Sequence, residues 1–356
     1  MITTLPLYAF MTHLVSLLML IGIASGYKAR KLIFVIAVLS ITYFVSFLSL
    51  SDYEIYAQEF RSIDLSQSIQ EQYSLFYGEY LYFYINYIFR FFTDDFNLVR
   101  IFLVGSALMI KLFFLLRWGR FYTLSFIFYI ALIFYADSYL IRSSLASSII
   151  LIGIWGMLNN KSAYLFFISI VIASTVHVTA LIALPIWFFR KIDIKKKYAY
   201  ILLGVFFIMS FINVGHGLVS LLGYFIGDVY ISETLIGYVN SKYSNSVGIV
   251  RMSVLIYVSI AIVFIANKRI IIKHTDHYNL VLAIVLYSLF LLVSLSDFEI
   301  LADRLFRLLS FFLVIAFGYI MSAISRDSRS SVVAITIVIL NFIPYLTSEK
   351  SYTFIS

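Results

Sequence analysis

The sequence predicts an all-α, polytopic integral membrane protein with about 12 transmembrane helices. Of the 356 residues, 62% are hydrophobic and only 12% are charged, and the mean hydropathy is +0.99. A soluble globular protein does not have this composition. Apolar runs recur along the whole chain, and each span needs roughly 20 residues. We therefore expect one transmembrane domain over residues 1–356, with the lipid bilayer as its surroundings.

Basic residues mark the connections that we expect on the cytoplasmic side, since such loops are enriched in lysine and arginine. The clusters are Lys28, Arg30 and Lys31; Arg117 and Arg120; Lys161; Arg190, Lys191, Lys195, Lys196 and Lys197; Lys268, Arg269 and Lys273; and Arg326 and Arg329. A model with both termini outside places every cluster inside. Its spans lie at about 5–25, 32–50, 97–116, 121–138, 142–158, 162–176, 178–189, 198–213, 249–266, 277–296, 303–323 and 330–347. The first run lacks a preceding basic region and a cleavage site, so we expect a retained span rather than a signal peptide.

Three outer connections follow from this arrangement: residues 51–96, 214–248 and 297–303. The first is rich in acidic residues, and its part near 76–92 is aromatic throughout. If residues 76–92 crossed the membrane, the sidedness of every later loop would invert. We therefore interpret them as an interfacial or re-entrant helix, because tyrosine favours the headgroup layer.

Arg142 and His177 are the polar residues that stand out, at the head of one apolar run and inside another. An ionisable residue inside or at the edge of a membrane is a functional-site hypothesis by default. The alternatives are an interfacial anchor for Arg142 and a packing role for His177. The runs at 162–176 and 178–189 are short, which favours a broken or re-entrant pair meeting near His177. Small residues follow Arg142 and indicate a closely packed, central helix: Ser143, Ser144, Ala146, Ser147, Ser148, Gly153 and Gly156.

Several function classes find no support in the residues. Motifs for phosphate-binding loops, nucleophile elbows and zinc peptidases are absent, and we predict no cofactor and no metal. The histidine pair His274 and His277 lies in a charged, predicted cytoplasmic connection, where a metal site is the weaker interpretation. The net charge of +8 follows from the cytoplasmic clusters, so we predict no nucleic-acid partner.

Three arginines are expected at the outer membrane boundary: Arg142, Arg304 and Arg307. The planar guanidinium matches phosphate oxygens bidentately, which a lysine does not do. These residues would suit the diphosphate of a lipid carrier. The alternative for Arg304 and Arg307 is a set of boundary ion pairs with the neighbouring acids Asp297, Glu299 and Asp303.

The sequence from about residue 50 to 325 resembles the EpsG family of bacterial exopolysaccharide and O-antigen polymerases, the Wzy-type enzymes. The resemblance rests on four places: DYEIY from Asp52; the aromatic segment that begins at Glu79; RSSLA from Arg142, followed after one helix by HVTALIALP from His177; and Arg304 with Arg307. Only the block from Arg142 to Pro185 is specific. The family commonly has glutamine after the arginine, whereas this chain has Ser143.

The resemblance implies a metal-independent glycosyltransferase of the bacterial plasma (inner) membrane, with its active site facing the periplasm or outside. A growing glycan on undecaprenyl diphosphate would pass to a hydroxyl of a lipid-linked repeat unit. Arg142, with Arg304 or Arg307, would stabilise charge on the diphosphate. His177 would act as the base, with Asp52, Glu54 and Glu79 as further candidates for the base or for hydroxyl binding. The partners that the resemblance implies would be the lipid-linked donor and acceptor, with a chain-length-regulating membrane protein as a further candidate.

Two other functions fit the same sequence. A glycosyltransferase that uses a polyprenyl-phosphate monosaccharide would also have an acidic first outer loop, and its product would be one added sugar. A lipid-linked sugar flippase belongs to a different class, the transporters, and would be expected to show an inverted repeat. No repeat is visible, and the mid-chain charges gather at the outer boundary, which favours an enzyme.

The topology can be tested by labelling single cysteines, because the chain has none of its own. We expect a membrane-impermeant maleimide to label cysteines placed in 51–96, 214–248 or 297–303 in intact cells. Cysteines placed near 119, 195, 271 or 327 should react only after the membrane is opened. Labelling at 119 or 195 in intact spheroplasts would contradict the topology.

Overall fold

The computed structural model describes residues 35–36, 38–40, 42, 48–49, 52–73, 79–118, 121–159, 163–209, 252–324 and 353–354. Their regular structure is helical apart from two short strands, Leu48–Ser49 (β1) and Thr353–Phe354 (β2), which pair antiparallel. This confirms the predicted all-α class. The predicted spans at 5–25 and 330–347 and the predicted outer loop at 214–248 lie outside the described residues.

The described helices fall into two compact units, 1–184 with 324–356, and 185–323. The first contains α1 (Tyr53–Arg61), α2 (Ile69–Tyr73), α3 (Tyr80–Arg90), α4 (Phe96–Trp118), α5 (Tyr122–Tyr129), a π-helical segment (Ile130–Phe134), α6 (Tyr135–Tyr139), α7 (Ile141–Asn159), α8 (Ala163–Val176) and a 3-10 helix (Val178–Ala183). The second contains α9 (Ile186–Phe189), α10 (Lys196–Met209), α11 (Met252–Ala266), α12 (Lys268–Ile271), α13 (Tyr278–Ser294) and α14 (Glu299–Ala323).

Three of the described helices are long and apolar enough to cross a membrane: α4, α7 and residues Ile300–Ala323 of α14. Shorter apolar helices are found at Leu124–Phe134, Ala163–Val176, Val178–Phe189, Val254–Ala266 and Tyr278–Ser294. These helices fit a polytopic membrane protein, and the number of about 12 spans stays a prediction.

Some predicted boundaries differ from the structure. The span at 121–138 is divided into α5, a π-helical segment and α6. The span at 32–50 is too long, because residues 48–49 form β1. Helix α14 begins at Glu299, four residues before the predicted span at 303–323, and Asp303 and Arg307 support the helix as a pair four residues apart.

Helix α7 lies at the centre of the first unit, as its small residues predict. A Cβ atom at Gly153 would lie 2.7 Å from the Ser169 Cβ on α8, so only glycine permits this approach. On the other side, the Ser148 hydroxyl donates to the Ala107 carbonyl of α4 over 3.0 Å. Small and hydroxyl side chains therefore allow close packing of α7 on both neighbours.

The break predicted near His177 is present. His177 has extended backbone (φ −155°, ψ 115°) between α8 and the 3-10 helix. Just before it, Ser174 and Thr175 donate their hydroxyls to the carbonyls of Val171 and Ile172, a pattern that bends helices. The apolar run is therefore interrupted at its one histidine.

In the second unit, α13 packs against α14 and α10, and α11 also packs against α14. The Phe264 and Tyr278 rings stack with centroids 4.8 Å apart, which joins α11 to α13. The Lys268 Nζ lies 3.2 Å from an Asp193 carboxylate oxygen. This ion pair attaches the segment that precedes α10 to the start of α12.

Candidate active site

The Glu79 carboxylate joins the two polar residues that the sequence singled out. Its Oε2 accepts a hydrogen bond of 2.8 Å from an Arg142 guanidinium nitrogen, and its Oε1 lies 2.6 Å from the His177 Nδ1. Glu79 is buried, at 5% exposure, whereas Arg142 and His177 are half-buried. One carboxylate of the first unit therefore fixes both an arginine and a histidine.

Each of these side chains lies at an end or a break of a helix. Glu79 directly precedes α3, Arg142 is the second residue of α7, and His177 follows α8. Because α3 packs against α8 and α8 packs against α7, the three positions converge. The regular run of helical backbone hydrogen bonds ends at such positions, and side chains can be directed toward a common point.

Two tyrosines flank the guanidinium of Arg142. The Arg142 Cζ lies 4.8 Å from the Tyr56 ring centroid and 5.2 Å from that of Tyr82. The two rings meet edge to face at 6.1 Å. Cation–π contacts of this kind hold a guanidinium in place without neutralising it.

A second carboxylate, Glu59 of α1, lies near the same guanidinium, with its Oε1 3.9 Å from an Arg142 nitrogen. Glu59 Oε2 and Arg142 Nε are both buried, and neither has a hydrogen-bond partner among the described residues. The Arg142 Nε is a hydrogen-bond donor and the Glu59 Oε2 is an acceptor. A polar group of a ligand that hydrogen-bonds to both would satisfy them.

The two carboxylates differ in their electrostatics. Burial by itself raises the pKa of Glu79, but the hydrogen bond with His177 and the charge of Arg142 outweigh it, so this pKa lies below its ordinary value. Burial raises the pKa of Glu59, which the more distant charge of Arg142 does not offset. The ionised form is therefore favoured at Glu79, and Glu59 is the carboxylate that takes up a proton more readily.

The contact between Glu79 and His177 also sets the tautomer of the imidazole. A carboxylate accepts hydrogen bonds, so the neutral ring carries its proton on Nδ1. The lone pair then lies on Nε2, on the other side of the ring. This is the arrangement by which a carboxylate prepares a histidine as a base.

Of the sequence-predicted site residues, Arg142, His177 and Glu79 are brought together. Asp52 precedes α1 by one residue, and the acid on α1 that approaches Arg142 is Glu59, roughly 10 Å further along the helix. Glu59 and the two tyrosines were not predicted as site residues. The spacing of these residues could have indicated them. Tyr56 and Glu59 are three residues apart, as are Glu79 and Tyr82, and residues three apart lie on one face of a helix.

Arg304 and Arg307, the other predicted phosphate ligands, lie in α14 of the second unit. The Arg307 Nε is 2.6 Å from an Asp303 carboxylate oxygen, which is the boundary ion pair considered as an alternative. Their diphosphate contact stays a prediction. Among the described residues, no group of three or more metal-ligating side chains is found.

Comparison with known proteins gives a family for the chain. The model of the EpsG family matches residues 31–353, which is most of the length and includes both carboxylates, the arginine and the histidine. No curated protein and no solved structure matches the sequence.

Glutamine substitutions at the two carboxylates should affect the stability of the fold differently. Glu79 has a lowered pKa, so its ionised form stabilises the fold above its ordinary pKa, and this stability is lost as the pH falls through the lower value. We expect Glu79→Gln to reduce stability at pH 7 by about 2 kcal/mol. Glu59 has a raised pKa, so its ionised form is disfavoured in the fold, and Glu59→Gln should leave stability unchanged or higher.

The measurement is thermal unfolding of the detergent-purified protein at pH 7 and at pH 4. The exposed Glu54→Gln on α1 is the matched control. The deficit of Glu79→Gln should shrink at pH 4. A loss of stability for Glu59→Gln at pH 7, with none for Glu79→Gln, would contradict the assignment of charge.

Proposed function

Because the chain belongs to the EpsG family, a class of membrane polysaccharide polymerases, we propose that it joins undecaprenyl-diphosphate-linked oligosaccharide repeat units into a surface polysaccharide. The product would be an O-antigen, capsule or exopolysaccharide, made on the outer face of the bacterial plasma membrane. The observation that carries the proposal is the bridge of Glu79 between Arg142 and His177.

The reaction needs a base more than it needs an acid. Diphosphate is a good leaving group, so the donor does not require the protonating carboxyl of a glycosidase. The acceptor hydroxyl must lose its proton as its oxygen bonds to the anomeric carbon of the donor. We assign that proton to the His177 Nε2, while Glu79 orients the ring and stabilises the imidazolium that forms.

The bond from the anomeric carbon to the diphosphate oxygen breaks as the new glycosidic bond forms. Undecaprenyl diphosphate leaves with the electron pair, and the proton remains on His177 until it passes to solvent or to the departing phosphate. Atoms and charges balance without a metal or a redox step. Stabilising the negative charge on the leaving group is then the second task of the site.

Arg142 serves that second task only in part. Its single charge faces two carboxylates, Glu79 and Glu59, so the described cluster is not cationic when both are ionised. A diphosphate would approach more readily with Glu59 protonated and with further cations supplied. We keep Arg304 and Arg307 as the candidates for those cations, and Arg142 as the residue that links the base to the leaving group.

Glu59 is suited to binding the acceptor sugar. Its Oε2 is a buried hydrogen-bond acceptor next to the guanidinium, and a sugar hydroxyl is a donor of the right size. We assign Glu59 to binding a hydroxyl of the acceptor sugar near the base. Asp52 stays a candidate from the sequence, while Glu59 is the acid of the predicted first outer loop for which an approach to Arg142 is observed.

The base is tested with purified protein and lipid-linked repeat units, comparing wild type, His177→Gln and His177→Ala across pH 5 to 9. Loss of a general base should reduce the rate about 100- to 10,000-fold in both variants. The wild-type rate should fall toward acid pH, where imidazole is protonated. His274→Gln, in the second unit, is the matched control, and we expect it to polymerise normally. Near-normal turnover by His177→Gln would contradict the role of His177 as the general base.

The arginine is tested by Arg142→Lys, which keeps a charge but loses the planar fork. We expect the protein to remain in the membrane while the glycan ladder collapses to single lipid-linked repeats. The loss of about 2 to 4 kcal/mol of transition-state stabilisation corresponds to roughly 30- to 1000-fold in rate. Arg117→Lys, at the far end of α4, is the control. An unaltered ladder at normal expression would make Arg142 an interfacial anchor.

A further inference from the structure

A second polar cluster lies buried in the first unit, apart from the carboxylate bridge. Lys111 of α4 is 1% exposed and Asp137 of α6 is 3% exposed. The Lys111 Nζ lies 2.5 Å from the Asp137 Oδ2 and donates to the Ser144 hydroxyl over 3.1 Å. The Tyr129 hydroxyl donates to the same Asp137 oxygen over 2.6 Å. The proposed chemistry uses none of these side chains.

The cluster surrounds the junction from α6 to α7, defined here as residues 137–144. The helix is interrupted at Leu140, which has a ψ of 56°, and α7 begins at Ile141. Arg142 is therefore the second residue after a bend. The direction of its side chain depends on the angle at which α7 leaves that bend.

Two buried cations of α4 hold this junction. Lys111 reaches Asp137 before the bend and Ser144 after it. Arg100, which is 2% exposed, donates to the Ser138 carbonyl over 3.2 Å. Both ends of the bend are thus tied to one helix by hydrogen bonds with charged donors, which are about twice as strong as neutral ones.

The π-helical segment Ile130–Phe134 makes this cluster possible. Residues eight apart on a regular α-helix differ by about 80° in direction, and the extra residue of a π turn brings them closer to one face. Tyr129 and Asp137 are eight apart and hydrogen-bonded. The irregular segment therefore places the Asp137 carboxylate where Lys111 and Tyr129 both reach it.

Stability alone is a poor reason for such a pair. Replacing a buried ion pair with apolar side chains of similar size is often neutral or stabilising, because desolvation of the charges is costly. What the hydrogen bonds add is direction, since they define one angle between α6 and α7. We propose that Lys111 and Asp137, together with Arg100, are positioning residues that fix the bend and so aim Arg142 at Glu79.

The test uses the variant Lys111→Met/Asp137→Leu, which removes the pair without leaving an unpaired charge. Spin labels on cysteines at Tyr84 of α3 and Ile152 of α7, both exposed, report the position of α7 relative to α3. Labels at Tyr84 and Met109 of α4 are the control pair, because neither lies beyond the bend. We expect the 84–152 distance distribution to shift or broaden in the double variant, while the 84–109 distribution stays as in the wild type.

The kinetic arm rests on the proposed function. A displaced Arg142 should reduce kcat by up to about 100-fold with little change in KM, since small misplacements of a catalytic group have effects of that size. The pH dependence should keep its acid limb, because His177 and Glu79 are unaltered. If wild type makes no polymer in the assay but the 84–152 distances still change, the proposed function fails and the positioning role stands.

Wild-type distances in a folded double variant would overturn the proposal. If the double variant does not reach the membrane, Ser144→Ala decides, because it removes the contact of Lys111 with α7 and keeps the ion pair. A broader 84–152 distribution in Ser144→Ala supports the positioning role. An unchanged distribution and rate in that variant overturn it.

Discussion

The described part of the first unit depends on one buried carboxylate, that of Glu79. A carboxylate at 5% exposure is costly unless it is paired and hydrogen-bonded. Arg142 and His177 meet that requirement from two different helices, and they in turn are fixed by it. The same contact thus offsets the cost of burial, brings three helix ends together and, in the proposed mechanism, prepares His177 as a base. Removing the Glu79 carboxylate would break both contacts, whereas removing Arg142 or His177 would leave Glu79 with one of its two partners.

The groups around this carboxylate have different roles: some hold Arg142 in place, and Glu59 has an unsatisfied oxygen. The tyrosine rings hold the guanidinium without neutralising it, and the cluster around Lys111 holds the bend from which Arg142 projects. Glu59 differs from Glu79, since burial raises its pKa and its Oε2 has no hydrogen-bond partner among the described residues. In the proposed function the site would accept both a neutral sugar and an anionic diphosphate, and one carboxylate of each kind suits that task.

The sequence predicted the helical class, the approximate bounds of most described apolar helices and three of the clustered residues. Arg142 and His177 could be found because a polar group in an apolar run has few structural explanations. Glu59, Tyr56 and Tyr82 could not, because one acid or tyrosine among many in an outer loop has no signal until the loop is known to be helical. Lys111 also lies within an apolar run, but the sequence does not predict its role. Its partner is Asp137, and the π-helical segment that brings Asp137 to it cannot be recognised from hydropathy.

Nitrogen NMR can show whether Glu79 sets the tautomer of His177. The protein would be labelled with ¹⁵N-histidine and measured at pH 8, with the His177 signals identified by their loss in His177→Gln. We expect a protonated Nδ1 and an unprotonated Nε2, and loss of that preference in Glu79→Gln. An imidazole protonated on Nε2 in the wild type would contradict the account, because the proposed base would then have no lone pair for the acceptor.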